Sequence, residues 1–248
     1  MSENSNEIKL AVLIDAENVP YSNIKGILDE ITKYGTPTIK RIYADWTKPN
    51  VSGWKNVMLT NAIIPIQQYS YTSGKNSSDS AMIIDAMDIL YSEKVQGFCI
   101  LSSDSDFTRL VTRLRESGMK VYGFGEKKTP QAFIVACDKF TYIEIIHSNL
   151  DGNSKVAAPE KSHEFEKINE EILNLIFSTV EDLADDYGWS FLGDIGNQLT
   201  KKRPDFDPRN FGFDKLTPLI KSLPQFEVEE RKTNNKSVKH VFVRKRIA

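Results

Sequence analysis

The chain of 248 residues is 40% hydrophobic and 27% charged, which is the composition of a globular protein with a packed core. The sequence lacks both a signal-peptide pattern and an apolar run near the roughly 20 residues of a membrane helix, so we expect a cytoplasmic protein with no membrane partner. Cys99 and Cys137 are too few for a disulfide framework, and three scattered histidines argue against a zinc site. Any metal would then be held by oxygen.

The segment 8–146 alternates strand-like and helix-like patterns. Apolar runs predict strands at Ile8–Ile14, Thr38–Ala44, Ile63–Gln68, Gly97–Leu101, Lys120–Phe124 and Thr141–Ile145. Amphipathic stretches predict helices near 20–33, 53–61, 78–94, 105–117 and 129–138. Strands as apolar as LAVLI and GFCIL are typical of a parallel sheet buried on both faces. The alternation predicts an α/β domain of three layers with a mostly parallel sheet.

A second domain is predicted after a linker. Residues 147–164 have no periodicity and contain Gly, Pro and Ser, which indicates a flexible connection. Beyond it, the pattern predicts helices at 165–187, Phe191–Thr200 and Asp214–Ser222, then strands at Phe226–Glu230 and Val238–Val243. Three helices and a hairpin are the plan of a winged helix-turn-helix. The predicted domains are therefore residues 1–146 and 165–248, joined by 147–164.

Acidic residues follow two of the predicted strands. Asp15 and Asn18 come directly after the first strand, and Asp104 and Asp106 come directly after the fourth. Ligands of parallel α/β sheets bind outside the carboxyl ends of the strands, so these residues converge if the two strands are neighbours. Asp79 opens the helix at 78–94. A helix-dipole interaction for Asp79 and an N-cap role for Asp104 are the structural alternatives.

Several carboxylates at one edge of a sheet repel one another, and a hard divalent cation removes that repulsion. Mg²⁺ or Mn²⁺ accepts such oxygen ligands and activates phosphoryl chemistry. In this interpretation Asn18 and Ser103 hydrogen-bond near the metal, and Lys75 contacts a phosphate. Asp85 and Asp88 lie on other faces of the Asp79 helix, so they are left out of the predicted site.

The segments LIDAENV, K-x-x-S-D, LSSDSDFTRLV, GMKVYGFG and ACDKFTYIE resemble the NYN domain, a branch of the PIN-like nuclease superfamily. The resemblance covers roughly residues 8–146. It implies a PIN-like fold and a Mg²⁺- or Mn²⁺-dependent site that cleaves RNA, with Asp15, Asp79, Asp104 and Asp106 as its acidic residues and Asn18 beside them. In one departure, Ser103 stands where the family's S-G-D-x-D segment has Gly. This puts the geometry of the loop, and so the level of activity, in question.

The pattern W-x-x-L-G, P-x-F, F-G-F-x-K-L and F-x-V within residues 165–246 resembles the OST-HTH domain, also called LOTUS. This resemblance implies a winged helix that binds RNA or, in some members, a protein partner. Residues 231–246 hold seven basic residues and no acidic one. Phosphate contact is expected from part of this stretch, namely Lys232, Lys236, Lys239, Arg244, Lys245 and Arg246.

The sequence as a whole predicts an endoribonuclease for single-stranded RNA, with the second domain raising the local concentration of RNA. Two alternatives stay open: an RNA-binding regulator that cleaves poorly or not at all, and a metal-dependent phosphatase or DNA nuclease. Four aromatic residues are predicted in loops on the same side of the sheet as the site: Trp46, Trp54, Tyr69 and Tyr71. In one interpretation they stack on the bases of single-stranded RNA, and in the other they pack the loops.

Overall fold

The computed structural model describes residues 7–69, 77–146, 165–232 and 239–246. The chain divides into two compact units, residues 1–158 and 159–248. The predicted linker 147–164 lies outside the described residues, and the exact domain boundaries given above stay a prediction. Within the described part of the chain, no helix is long and apolar enough to span a membrane.

The first unit is built on a parallel sheet. Its described strands follow the order β3-β2-β1-β4-β5-β6, and every neighbouring pair is parallel. The strands are β1 (Lys9–Asp15), β2 (Thr36–Ala44), β3 (Ile64–Gln67), β4 (Gly97–Leu101), β5 (Lys120–Gly125) and β6 (Lys139–Tyr142). All carboxyl ends therefore meet at one edge of the sheet.

Helices cover both faces of this sheet. They are α1 (Ile24–Ile31), α2 (Trp54–Asn61), α3 (Ser77–Tyr91), α4 (Thr108–Glu116) and α5 (Gln131–Ala136). Successive residues of β1 point to opposite faces, so Leu13 joins the core that includes α3, α4 and α5, while Ile14 joins the core that includes α1 and α2. The two cores confirm the predicted three-layer α/β fold.

The direction of the strand order reverses next to β1. From β1 the chain proceeds to β2 and β3 on one side, and then crosses to β4, β5 and β6 on the other. The last residues of the two central strands lie side by side, since Ile14 pairs with Leu101. A crevice at such a switch point is the usual ligand site of a parallel α/β sheet.

The two outer strands depart from the expected pattern. β6 begins at Lys139 and ends at Tyr142, whereas the apolar run predicted a strand at 141–145. Residues Ile143–Ile145 form a 3-10 turn instead, and Ile143 still reaches the core. The other edge, β3, has only four residues and contains Pro65, which has no N–H for a ladder hydrogen bond.

The second unit is a winged helix-turn-helix. Its helices are α6 (Glu170–Asp182), α7 (Leu192–Lys202) and α8 (Leu216–Lys221). Its strands, β7 (Ser190–Phe191), β8 (Phe226–Lys232) and β9 (Lys239–Lys245), form an antiparallel sheet in the order β7-β9-β8. A separate core holds the helices against this sheet, with Ile176, Leu199 and Ile220 fully buried.

The first helix of this unit is shorter than predicted, 170–182 instead of 165–187. The side chain of Asn169 accepts a hydrogen bond from the backbone N–H of Ile172 (3.0 Å) and so caps the helix there. Phe165 lies outside the helix and packs on Gly212, whose φ of +82° suits glycine. Phe165 is 61% exposed, whereas Ile168 packs against the core. The apolar spacing therefore predicted burial correctly from Ile168 onward, but the helical backbone begins only at Glu170.

Candidate active site

Three carboxylates meet at the carboxyl edge of the sheet. Asp104 comes three residues after the end of the fully buried strand β4, Asp106 comes two residues later, and Asp79 lies in the first turn of α3. One carboxylate oxygen from each lies within 4.8 Å of the other two. Asp79 is buried, Asp104 is half-buried and Asp106 is exposed, so the group faces outward from the sheet.

Asp104 also shapes the turn that carries Asp106. One of its carboxylate oxygens accepts a hydrogen bond from the Asp106 backbone N–H (2.9 Å), which caps the 3-10 turn Ser105–Phe107. The cap role considered from the sequence is therefore real, and it coexists with membership in the cluster. Three close carboxylates repel one another, and their oxygen atoms are the donors that Mg²⁺ and Mn²⁺ prefer. The residues present thus fit a hard divalent cation.

Asp15 ends β1 and is not a member of this three-carboxylate group. It is 2% exposed and accepts three hydrogen bonds: from the Glu17 backbone N–H (3.0 Å), the Asn18 Nδ2 (2.6 Å) and the Ser102 Oγ (2.9 Å). Burial raises the pKa of the Asp15 carboxyl above its ordinary value, although the hydrogen bonds oppose the rise. Asn18 is placed beside Asp15, as the sequence predicts, and acts as its donor.

The hydroxyl of Ser102 connects Asp15 to the carboxylate cluster. It donates to Asp15 and accepts a hydrogen bond from the backbone N–H of Asp104 (3.1 Å). Ser102 is completely buried, and its own backbone N–H donates to the carbonyl of Phe124 (3.0 Å). Ser102 was not among the residues predicted for the site. The available signal was a polar side chain directly after a fully apolar strand.

Ser103 fits the loop in place of the family's glycine. Among the described residues, only Ala62 and Glu93 combine a side chain with a positive φ, so Ser103 has an ordinary backbone conformation. Its hydroxyl accepts a hydrogen bond from the Glu126 backbone N–H (2.9 Å). The close approach occurs instead at Gly125, where a Cβ would lie 2.6 Å from the Ser102 carbonyl oxygen.

The two acids left out of the predicted site lie elsewhere on α3. Asp85 forms an ion pair with Arg41 and accepts a hydrogen bond from the Tyr43 hydroxyl. Asp88 is exposed, and it is not part of the carboxylate group. Of the predicted phosphate contacts, Lys75 and Lys236 lie outside the described residues.

The remaining basic residues of the predicted RNA surface fall into two sets. Lys239 pairs with Glu230 (3.1 Å), Arg244 with Glu227 (2.7 Å) and Lys245 with Glu181 (3.0 Å). Lys232 and Arg246 are exposed and have no ion pair with any described residue. A count of charges along residues 231–246 could not reveal this difference, because the acidic partners lie on β8 and α6.

Aromatic rings and guanidinium groups cover part of the second unit's sheet. Arg231 lies 4.3 Å from the centroid of the Phe242 ring and 5.0 Å from that of Trp189, and Arg244 lies 4.6 Å from the Trp189 ring. Such contacts are cation–π interactions, which hold the two guanidinium groups in fixed positions. This surface is therefore both aromatic and basic.

The fold and the site define a class: an α/β protein with an acidic, cation-compatible site at the switch point of a parallel sheet. The profile of the NYN domain matches residues 9–144, so the chain belongs to the NYN family of PIN-like nucleases. The profile of the OST-HTH/LOTUS domain matches residues 163–238. Both matches confirm the order of domains predicted from the sequence.

Comparison with individual proteins adds three solved structures. A crystal structure of a protein of unknown function from Vibrio parahaemolyticus is 21% identical, covers 57% of this chain and 96% of its own, and has a TM-score of 0.48. A solution structure of an uncharacterised protein from Nitrosomonas europaea is 30% identical, covers 39% of this chain and 93% of its own, and has a TM-score of 0.30. A solution structure of a protein from Chromobacterium violaceum is 34% identical, covers 33% of this chain and 86% of its own, and has a TM-score of 0.26. No curated protein matches the chain significantly.

Proposed function

We propose that the protein is a divalent-metal-dependent endoribonuclease that hydrolyses phosphodiester bonds of single-stranded RNA. The observation that carries this proposal is the convergence of Asp79, Asp104 and Asp106, with oxygen atoms within 4.8 Å of one another, at the switch point of the sheet. Membership in a family of PIN-like nucleases supports hydrolysis as the reaction. The OST-HTH/LOTUS match supports RNA as the polymer.

Asp79, Asp104 and Asp106 are the residues that would hold Mg²⁺ or Mn²⁺. Such an ion, when bound, supplies positive charge to the phosphoryl oxygens and acidifies water for in-line attack. The carboxylates would orient the phosphate, since Asp79 lies in the first turn of α3 and Asp104 and Asp106 lie in the loop and 3-10 turn that follow the buried strand β4. Asp106 is exposed and so is placed to face the substrate.

Asp15 is proposed to act through Ser102, in addition to its predicted role as a metal ligand. Its carboxylate orients the Ser102 hydroxyl, which in turn accepts the Asp104 backbone N–H. Asn18 donates to the same carboxylate and keeps it hydrogen-bonded in a buried position. Residues that orient metal ligands in this way commonly change metal affinity or activity about 10- to 100-fold when removed.

The second domain is proposed to capture RNA and deliver it to the first. Lys232 and Arg246, which have no ion pair with described residues, are the best candidates for phosphate contact, and the surface formed by Trp189, Phe242, Arg231 and Arg244 suits single-stranded bases. A cytoplasmic location completes the proposal and agrees with the free, buried thiols of Cys99 and Cys137.

Metal binding is the first test. At 100 times its Kd, an ion stabilises the folded state by about 2.7 kcal/mol, so Mg²⁺ or Mn²⁺ should raise the Tm of the wild type by several degrees. Asp104→Asn should abolish most of this shift, while Asp88→Asn, on the exposed face of α3, should keep it. The measurement is a thermal melt with and without each metal after treatment with a chelator.

The substrate is tested with single-stranded RNA, duplex DNA and a small phosphoester assayed side by side. Internal cleavage of RNA that is lost in Asp104→Asn and kept in Asp88→Asn supports the proposal. RNA binding without a metal-induced shift or cleavage identifies an RNA-binding regulator instead. Preference for the phosphoester or the DNA identifies a phosphatase or a DNA nuclease.

A further inference from the structure

A cavity of about 480 Å³ lies at the same edge of the sheet as the carboxylate cluster. Its residues come from the loop after β2, from α2 and from β3. Its volume is in the range of small-molecule sites, about 300–1,000 Å³. We call it the Trp46 pocket, and its principal lining residues are Trp46, Lys48, Lys55, Met58, Pro65 and Gln67.

The indole of Trp46 is held in place by backbone and side-chain hydrogen bonds. Its Nε1–H donates to the carbonyl oxygen of Ile66 (3.0 Å), and its backbone N–H donates to the Gln67 Oε1 (3.0 Å). Both acceptors belong to β3, so the loop after β2 is fastened to the neighbouring strand. An aromatic ring fixed in this way loses little entropy when a ligand stacks on it.

Gln67 is itself fixed by the buried carboxylate of Asp45. The Gln67 Nε2 donates to the Asp45 Oδ1 (3.1 Å), which also accepts from the Thr47 hydroxyl (2.6 Å). Asp45 is only 8% exposed. The wall of the pocket is therefore formed before any ligand arrives, and its free surface consists mainly of the indole, Met58 and Pro65.

Two lysines bring positive charge to this apolar wall. Lys48 and Lys55 are both exposed, and Lys55 has no ion pair with any residue that the structure describes. The Lys48 Nζ lies 3.3 Å from the Glu17 Oε1, and Glu17 follows Asp15 by two residues. The pocket thus adjoins the loop after β1, which directly follows Asp15. An apolar slot beside ammonium groups suits a planar ring that is attached to a phosphate.

The position of the pocket relates it to the reaction. β2 and β3 are the second and third strands from β4, whose carboxyl end leads into the turn with Asp104 and Asp106, so their ends lie about 10 Å and 14 Å from the end of β4 along the sheet. Nucleotides two or three positions apart in one RNA strand can bridge such a distance. We infer that the Trp46 pocket binds a nucleobase of the RNA strand, two or three nucleotides from the phosphodiester that is cleaved. The assignment of the strand as RNA substrate rests on the proposed function.

The binding test uses the full chain and does not depend on cleavage. The protein has three tryptophans, so a ¹H–¹⁵N spectrum contains three indole signals, and Trp46→Phe identifies the one from Trp46. Adenosine and uridine monophosphate should shift this signal in a saturable manner, whereas ribose 5-phosphate and inorganic phosphate should not. Lys55→Ala should weaken nucleotide binding about 2- to 5-fold. Lys94→Ala, an exposed lysine outside the pocket, should leave it unchanged.

Cleavage of short RNA provides the second test. Trp46→Ala should raise KM about 5- to 150-fold, the range for loss of one base stack, with little change in kcat. An abasic nucleotide two or three positions from the cleaved bond should raise KM for the wild type but not for Trp46→Ala. Lys55→Glu repeats the test with an exposed residue if Trp46→Ala does not fold.

The two proposals can fail separately. A nucleotide-induced shift of the Trp46 signal in a protein that cleaves no RNA keeps the pocket and overturns the ribonuclease. An unchanged Trp46 signal at tens of millimolar nucleotide, or an equal shift by ribose 5-phosphate, overturns the pocket whether or not RNA is cleaved.

Discussion

At the scale of single residues, the Ser102 hydroxyl is the junction between two groups of acids. It links the buried Asp15 carboxylate to the backbone of Asp104, and Asp104 in turn holds the turn that carries Asp106. A change at Asp15 therefore reaches the proposed metal ligands through two hydrogen bonds. The site depends on a buried polar network, whose members stabilise one another only when all of them are paired.

The raised pKa of Asp15 predicts a pH-dependent stability in the absence of metal. A carboxyl whose pKa in the folded protein exceeds the ordinary value of 3.8 stabilises the fold fully below that pH, and this contribution is lost as the pH rises through the folded-state pKa. Asp15→Asn removes the titration. We therefore expect the stability of this variant, relative to the wild type, to increase from about pH 3 to pH 7.

Urea unfolding of both proteins in a chelator at several pH values measures this difference. Asp88→Asn is the matched control, because Asp88 is exposed and its substitution should give no such trend. A difference between Asp15→Asn and wild type that stays constant with pH contradicts the prediction.

The convergence of the acids could be inferred from the sequence, whereas their grouping could not. Asp15 and Asp104 follow apolar strands, so a parallel sheet brings them to one edge. Whether Asp79 reaches them depends on the direction in which α3 enters, and that direction is set by packing. The structure groups Asp79 with Asp104 and Asp106, and it joins Asp15 to them through Ser102.

At the scale of elements, the end of β5 and the loop after β4 are in unusually close contact. A Cβ on Gly125 would lie 2.6 Å from the Ser102 carbonyl oxygen and 2.7 Å from the Thr129 Oγ1. The Ser102 carbonyl oxygen is a backbone atom and cannot move without shifting the loop, whereas the Thr129 hydroxyl can rotate. Gly123 and Gly125 form a G-x-G that lacks the third glycine of the dinucleotide-binding motif G-x-G-x-x-G. Gly125 instead allows close packing between the strand and the loop.

We expect Gly125→Ala to destabilise the protein by about 1–3 kcal/mol and to weaken metal binding, because the loop that carries Ser102 must move. Gly118→Ala is the control. Gly118 has a φ of +82° and open space around it, and it precedes β5 at the opposite edge of the sheet. Gly118→Ala should lower the free energy of unfolding by about 1–2 kcal/mol through backbone strain and leave the metal affinity unchanged.

Urea unfolding and metal titration of both variants test this expectation. Equal metal affinity in Gly125→Ala and Gly118→Ala would mean that the contact with the Ser102 carbonyl does not control the site.

The bounds of the strands and helices show which structural features the apolar pattern of the sequence can predict. The bounds of β4 were predicted correctly to the residue because all five of its residues are buried and the flanking residues Gln96 and Ser102 are polar. At β6 and at the start of α6, apolar side chains continue beyond the regular element into a 3-10 turn or an extended segment. Ile143 and Ile168 pack against the cores, whereas Phe165 is exposed. The start of the helix depends on contacts that apolar spacing does not contain, such as the Asn169 cap.

At the scale of the whole molecule, the proposed functions are divided between two units that have separate cores. The first contains the carboxylate site and the Trp46 pocket, and the second contains the basic and aromatic surface. A tethered binding module raises the local concentration of its ligand at a neighbouring site. The affinity for RNA should then depend mostly on the second unit, and the rate of the chemical step on the first.

Deleting residues 151–248 should therefore weaken RNA binding by about 100-fold or more, with kcat on a short RNA at saturation nearly unchanged. The dependence of the affinity on salt should also become less steep, by about 0.7 in the log–log slope for each lost phosphate contact. Fluorescence anisotropy with the Asp104→Asn forms of both lengths measures binding without cleavage.

A finer control is the full chain in which Lys232 and Arg246 are both substituted. This double variant keeps the second domain, and the dependence of its RNA affinity on salt should be less steep than in the wild type. Unchanged RNA affinity after the deletion would assign the second unit to a protein partner instead.

Pro65 on the edge strand also bears on how the chain avoids self-association. Parallel sheets form slowly because their strands are distant in sequence, so partly folded chains expose unpaired strand edges for longer. An edge that is four residues long and lacks one N–H is a poor template for another chain to extend. The short edge strand β3 therefore protects the chain against edge-to-edge aggregation while the chain is still partly folded.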